Sequence, residues 1–540
     1  MGVQFSCNAR LTKAIRLYGL LAIIDIYKIG IALMNGSSSR RSGVVVTYAY
    51  TICNILVQLI YVPLLLSSIG QEEYGLYQLI GSVVSYIVSI NGILAAGVGR
   101  FYCMYKANDD QVNMENTLAI AKRMYWVMSA VTMVVMGGIV VAFRFVYQAS
   151  FLPAQIDECS LMLVVLGINC VVTMNNAINV SVITANERFL FLRGSQTFTL
   201  ILQPVLVLLL TKLFPSALAV TCVVLAMNAL CALAQRFYAA NVLKASYAYH
   251  GWDKGLARGL LGFSAIIVLV TLADQIFWKT DQLIIGYFFG AAPVAVYAVG
   301  SQIYTAYMAV GTAVSSVFFP RVSELYHHDH DMGAISALFI KVGRISLMLC
   351  LAILGGFAIL GADFITLWAG EGFFEAYVVA LVIMVPFTID LIQNLGLTIM
   401  QVMDRYQFRG VVYLCLALFN VALTIVLLQV YGLIGAAVST AIAMFVGNGL
   451  IMNWYYKAKI GLDVKGFWKS MASIMMPELI YFALFGAAYW LLPVMHGSWL
   501  AFILAGAVFV IGYLLVLRAF VMNDYEKSLT HSVCSGKPKH

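Results

Sequence analysis

The sequence predicts an all-α polytopic membrane protein that crosses the bilayer about fourteen times. Three observations carry this. Of the 540 residues, 62% are hydrophobic and only 10% are charged, with a mean hydropathy of +0.92, whereas a water-facing surface uses roughly 25% charged residues. Apolar runs long enough to span ~30 Å of hydrocarbon recur from end to end. Short loops rich in lysine and arginine alternate with loops that hold almost none.

The runs lie at 44–66, 78–98, 118–143, 158–182, 196–212, 216–242, 260–287, 293–319, 336–360, 375–400, 409–430, 433–455, 471–493 and 498–520. Strands are excluded, because open sheet edges find no hydrogen bonds in lipid and barrel strands alternate in polarity. Basic residues gather at Arg100 and Lys106, Arg188 and Arg193, Lys244 to Arg258, Arg321, Arg405 and Arg409, Lys457 to Lys469, and the tail after Arg518. The intervening loops 65–77, 288–292, 361–374 and 494–497 are nearly free of them. The positive-inside rule then places both ends of the helical body in the cytoplasm, and the net charge of +8 reads as topology, with no nucleic-acid partner implied. Residues 17–34 are apolar but contain Asp25 and Lys28. They read as part of an interfacial extension over 1–41, without a small-residue cleavage site.

The second half echoes the first at an offset of about 220 residues, a period long enough to be a whole bundle. Gly70 to Tyr77 (GQEEYGLY) aligns with Gly290 to Tyr297 (GAAPVAVY), and Glu187 to Gly194 (ERFLFLRG) aligns with Asp404 to Gly410 (DRYQFRG). Six helices per repeat return the chain to its starting side. The halves therefore share one orientation and are expected to be related by a pseudo-two-fold axis along the membrane normal. The expected organisation is a first six-helix bundle at 42–243, a cytoplasmic linker at 244–258, a second bundle at 259–457, and two C-terminal helices with a tail at 458–540.

Ionisable residues inside spanning segments cost about 2.5–3.5 kcal/mol at the bilayer centre on insertion scales, and they face protein or water. The seventh run reads ADQIFWKTDQLIIGYFFG, and Asp274, Gln275, Trp278, Lys279, Asp281 and Gln282 fall in one arc of about 160°. Two readings stand: a salt-bridge cluster between helices, or a cavity wall for substrate or a coupling proton. Arg100 ends a hydroxyl-lined face of the second run, and a guanidinium matches phosphate with paired hydrogen bonds. The fourth run carries Asn169, Asn176 and Asn179. Its counterpart carries Asp390, Gln393, Asn394 and Gln401 beyond Pro386. These amides suit hydroxyl-rich ligands, and interhelical hydrogen bonding accounts for them as well. Lys341 and Arg344 extend a basic vestibule, while His327 to His330 read as a solvated loop. The ten cysteines lack metal-ligand spacing, so no metal is expected. No P-loop, H-E-x-x-H or G-x-S-x-G motif occurs, so the expectation is a transporter without cofactor rather than an enzyme, driven by a gradient or by substrate flux.

The order of Gly70–Tyr77, Gly97-Val-Gly-Arg-Phe-Tyr102, Asp109-Asp110, Ala185-Asn-Glu-Arg188, Asp281-Gln-Leu-Ile-Ile-Gly286, Phe319-Pro-Arg-Val-Ser-Glu-Leu325 and Tyr431-Gly-Leu-Ile-Gly-Ala-Ala437 resembles the polysaccharide transporters. These are the Wzx-type flippases of the multidrug/oligosaccharidyl-lipid/polysaccharide (MOP) superfamily. The resemblance covers essentially everything after residue 42. It implies two six-helix bundles in a V, two further C-terminal helices and alternating access. It also implies a cargo: a polyprenyl-pyrophosphate-linked oligosaccharide moved from the cytoplasmic to the outer leaflet of a bacterial cell membrane, beside glycosyltransferases and a glycan polymerase. On that reading Arg100, Lys279 and Arg321 attract pyrophosphate. Asp281, Asn176, Gln393 and Asn394 receive sugars, and Asp274 and Asp390 serve the central cavity or coupling. Where the family's cavity is basic, the seventh helix here sets two acids against one lysine. The competing class is a cation-coupled multidrug or small-molecule exporter of the same superfamily.

Overall fold

The computed structural model describes residues 39–262, 265–316, 318–327, 331–491, 497–524 and 526–527. The expected extension over 17–34 and His328 to His330 lie outside these residues. The fold is helical, with no strand among the described residues. In chain order the helices are α1 (Ser39–Ala107), α2 (Gln111–Val146), α3 (Pro153–Ala185), α4 (Phe189–Leu210), α5 (Ala217–Phe237), α6 (Lys254–Gly262), α7 (Ala265–Phe289) and α8 (Ala291–Ser316). There follow α9 (Phe319–His327), α10 (Met332–Ala369), α11 (Phe374–Ile392), α12 (Asn394–Val402), α13 (Gln407–Met444), α14 (Val464–Trp490) and α15 (Trp499–Val516). Ten helices among the described residues are long and apolar enough to cross a membrane. Two of those ten are interrupted by a glycine outside helical geometry, at Gly70 (φ 82°, ψ 173°) and Gly432 (φ 60°, ψ −145°). The charged α7 and the neutral α8 stand outside the ten, at 25 and 26 residues.

The breaks differ from the loops read in the sequence. Around 65–77 the helix runs on either side of a single residue, Gly70. With no Cβ, glycine enters the positive-φ region at little steric cost, so the turn needs no loop. A 69-residue α1 has to break, because about 20 residues already span the hydrocarbon.

By internal packing the chain forms two units. One holds the described residues up to Glu73 together with Tyr86–Val268, and the other holds Tyr74–Ser85 together with the residues from Leu269 onward. In the first unit, Leu94, Val98, Tyr102, Ile120, Tyr125, Met174 and Val182 form a buried core that Leu256 and Leu260 of α6 complete. The linker before α6 is strapped to its neighbours. Tyr247 donates its hydroxyl to Asn179 Oδ1 at 2.9 Å, the ring of Tyr249 lies 3.3 Å from the Arg123 guanidinium, and His250 Nε2 meets Glu115 at 2.9 Å. In the second unit, Phe339, Leu395, Met400, Tyr456, Phe467 and Met471 join α10, α12, α14 and the end of the α13 segment.

Residues 74–85 of α1 pack on α7 and α8 within the second unit. A Cβ at Gly75 would overlap the carbonyl of Ala291, so only glycine allows this approach. Tyr74 accepts from Gln302 at 3.1 Å, and the Ser82 hydroxyl bonds the Gln282 side chain.

Candidate functional site

α7 carries the chemistry of the second unit, and its polar stripe divides in two. Asp281 and Gln282 are each 1% exposed, whereas Asp274, Trp278 and Lys279 are partly buried. The half-turns between these residues turn the first pair into the packing and leave the others along its margin.

Asp281 is closed in by hydroxyls from two other helices. Tyr297 of α8 donates at 2.7 Å, Thr440 at 2.7 Å and Thr424 at 2.9 Å, the last two from either side of the Gly432 break in α13. Ser439 bonds Thr424, and Asn420 bonds Thr440 at 3.2 Å. A carboxyl group at this depth needs such donors, because desolvation in an apolar interior is otherwise uncompensated. The network ties α7, α8 and both parts of α13 through one side chain.

The second cluster is more open. Asp390 of α11 has the Arg409 guanidinium and the Tyr413 hydroxyl as polar neighbours, and Asp274 lies within electrostatic reach of both Arg409 and Asp390. Arg409 stands over the Tyr413 ring at 4.5 Å and donates to the Tyr406 hydroxyl at 3.2 Å. Beside them Trp278 meets Tyr304 at 5.5 Å and Phe387 at 5.3 Å between ring centroids, and Phe277 meets Tyr413 at 6.2 Å. Aromatic faces of this kind stack on sugar rings and attract cations. Lys279 is partly buried and has no hydrogen-bond or ion-pair partner among the described residues. Its ammonium charge is not balanced by an internal counter-ion among the described residues.

The remaining sequence candidates fall elsewhere. Asn176 donates to Gln235 at 2.7 Å in the first unit, and Gln393 donates to Asn453 at 2.9 Å in the second. Both are interhelical amide pairs. Asn394 is partly buried at the start of α12. Arg100 is exposed near the end of α1. Arg321 is exposed on α9 and paired with Glu324 at 2.6 Å. Arg344 bonds Glu526 at 2.6 and 3.0 Å, so its charge is balanced where it stands. Asp274 and Asp390 are brought together. Asp281, by contrast, sits in its own hydroxyl pocket.

Arg409 and its tyrosines were read in the sequence only as a cytoplasmic turn. The signal was present in DRYQFRG, whose last basic residue opens a membrane helix instead of staying in the loop. Thr424, Ser439 and Thr440 carried no signal, since isolated hydroxyls are common in spanning helices.

These features define an all-helical, multi-pass membrane protein with the fold of MOP-superfamily transporters. The structure superposes on a lipid II flippase, MurJ, in an inward closed conformation with a TM-score of 0.66 and 11% identity, over 88% of this chain and 97% of that one. An inward-facing multidrug resistance MATE transporter of the MOP superfamily aligns with a TM-score of 0.61 and 12% identity, over 83% and 99% of the two chains. A family model described as "Polysaccharide biosynthesis protein" matches residues 65–378, more than half of the chain. The chain belongs to that family. A "Probable flippase AglR" of Haloferax volcanii is 25% identical over 219 residues, which span 39% of this chain and 42% of that relative.

Proposed function

We propose that the protein is a flippase that turns a polyprenyl-pyrophosphate-linked oligosaccharide, a surface polysaccharide precursor, from the cytoplasmic to the outer leaflet by alternating access. The helical body crosses the membrane about fourteen times with both ends cytoplasmic, as the basic-loop pattern favours. One observation carries the reading: in a member of the polysaccharide biosynthesis family, Lys279 is partly buried on α7 with no hydrogen-bond or ion-pair partner among the described residues. Lys279 and Arg409 supply positive charge for the pyrophosphate, and Trp278, Tyr304 and Tyr413 offer faces for the sugars or the prenyl chain. Arg100 and Arg321, exposed on α1 and α9, serve in gathering the anionic head group at the cytoplasmic side. Asp281 is assigned to coupling, because adding or removing its proton changes how α7 holds α8 and α13.

The experiment is export of surface glycan by Lys279→Gln in cells lacking the wild-type protein. Export is expected to fall at least about tenfold, a barrier change of about 1.4 kcal/mol, with membrane insertion unchanged and with partial rescue by Lys279→Arg. Normal export by Lys279→Gln would remove the pyrophosphate role. The second reading, a cation-coupled small-molecule exporter, is favoured by the acids Asp274, Asp281 and Asp390 in one unit. Resistance to cationic dyes on overexpression, without a glycan phenotype, would establish it instead.

A further inference from the structure

Outside the site just described, the second unit holds one carboxyl group that its surroundings do not account for. Glu478 follows Pro477 in α14, is fully buried, and has no hydrogen-bond partner for either oxygen among the described residues. The hydroxyls of the two tyrosines near it are satisfied. Tyr481 on the same helix donates its hydroxyl to the Phe509 carbonyl at 2.7 Å. Tyr513 of α15 donates to the Met348 carbonyl of α10 at 2.6 Å. Both tyrosines lie within electrostatic reach of Glu478, yet both hydroxyls are committed elsewhere. Cys350 of α10, next to Tyr513, is buried.

The charged groups along the same helix contacts are also spoken for. Toward one end Arg344 of α10 bonds Glu526, Ser470, Ser473 and the Val521 carbonyl. Toward the other, Tyr489 of α14 bonds Asp363 of α10 at 2.5 Å. So α14 is pinned to α10 by polar contacts at both ends, and among the described residues of α14 and α10 the unanswered buried polar groups are the Ser346 hydroxyl and, as the one ionisable group, Glu478. A carboxylate in that position would be a charge in an apolar interior without counter-ion or donor, which costs several kcal/mol. A protonated carboxyl removes most of that cost.

We propose that Glu478 is a proton-binding site: the packing of α14 against α10 and α15 is that of the protonated form, and release of the proton to water is coupled to opening of this contact. Since α10 belongs to the packed helices of the second unit and α14 follows them, the site links proton occupancy to the attachment of the C-terminal helix pair. It lies apart from the Asp274–Asp390–Arg409 cluster and goes beyond the transport reading above.

The test uses the full-length protein in lipid bilayers. Infrared difference spectra between wild type and Glu478→Gln are expected to show a protonated carboxylic-acid carbonyl band that the variant lacks, and that band is expected to convert to carboxylate bands as the buffer is made alkaline. Glu478→Gln and Glu478→Leu should both fold with unchanged or higher thermal stability, and the dependence of surface-glycan export on external pH should be lost in both. A carboxylate signature at neutral pH would overturn the proposal. So would a wild-type pH profile in the stable Leu variant, or failure of both variants to fold. The infrared readout is indifferent to the cargo, so it separates failure of this inference from failure of the glycan reading.

Discussion

The two halves of the body are alike in frame and unlike in charge. Gly70 and Gly290, aligned in the sequence, have φ of 82° and 80°. Glu187 and Asp404, which close corresponding turns, both have φ of 55°. Asp110 caps α2 through Asn113, as Asp331 caps α10 through Ala334. Phe191 stacks on Tyr238 at 3.8 Å, and Phe408 stacks on Tyr455 at 3.9 Å. The Asn176–Gln235 pair recurs as Gln393–Asn453. Against this, aligning the halves sets Asn54, Leu59, Tyr61 and Thr173 opposite Asp274, Lys279, Asp281 and Asp390. Recurrence tracks what holds helices at their angles. Divergence falls at the ionisable groups of α7 and α11, the residues to which the proposed function assigns binding and coupling.

The largest expected effect tests this asymmetry directly. Arg193 and Arg409 occupy the same turn of the two repeats, but Arg193 bonds Gln196 at 2.8 Å while Arg409 faces two acids. Arg409→Gln should cut export at least about tenfold and lower thermal stability, since Asp274 and Asp390 lose their cation. Arg193→Gln should change export by less than about twofold, below the ~1.4 kcal/mol that a tenfold effect represents. Equal losses would mean that both halves carry function. Next comes Asp281→Ala, which strips an acceptor from three buried hydroxyls. Each donor left unsatisfied costs about 1–3 kcal/mol, so thermal unfolding of the purified protein should show a marked loss of stability. Stability close to wild type would mean that water enters this pocket freely.

Much of the frame was legible because it follows from local rules. Apolar length gives helices long enough to span, and the repeat is visible in its polar turns. The one-residue breaks were less so: GQEEYGLY looks like a loop until the φ of Gly70 shows that helix resumes at once. The site was legible only in part. Asp274 and Lys279 stand out as charges in an apolar run, but two of the three partners of Asp281, Thr424 and Thr440, lie 143 and 159 residues further along the chain. Hydroxyls and amides become a network only when the fold brings them together. Arg409 was hidden by its neighbourhood, because a basic residue beside a turn reads as a topology anchor. Glu478 stood in a run whose other residues gave it no partner to suggest.

A smaller effect separates structure from binding at the amide pairs. Asn176→Ala and Gln393→Ala each leave a buried amide partner, Gln235 or Asn453, with one fewer bond, for an expected cost of about 1–3 kcal/mol in either half. Asn453 Oδ1 still accepts from Trp468 at 2.8 Å, so the lower end is expected for Gln393→Ala. Gln235 keeps its donation to Ser195 at 2.9 Å, but its buried Oε1 loses the Asn176 donor, so the larger loss is expected for Asn176→Ala. Stability losses in that order with export reduced only in proportion would assign both pairs to the frame. A loss of export by Gln393→Ala at unchanged stability would instead return Gln393 to the substrate.

The smallest effect has the opposite sign. Asp404 sits at a positive φ, where an L side chain meets its own backbone at a cost of roughly 1–2 kcal/mol, less for aspartate than for most residues. Its carboxylate donates nothing to the packing that would offset this, since the turn is closed by main-chain bonds from Asp404 to Gln401 at 3.2 Å and from Arg405 to Met400 at 2.8 Å. Asp404→Gly should therefore raise thermal stability by a few tenths of a kcal/mol up to about 1, after the entropy that glycine adds to the unfolded chain is subtracted. Glu187→Gly relieves the same strain at the matching turn, with main-chain bonds from Glu187 to Thr184 at 2.9 Å and from Arg188 to Ile183 at 3.1 Å. Equal gains would show that the turn is a shared backbone device whose acidic residue is dispensable in both halves. A gain at one position and a loss at the other would show that the acid at the losing position has acquired a role of its own.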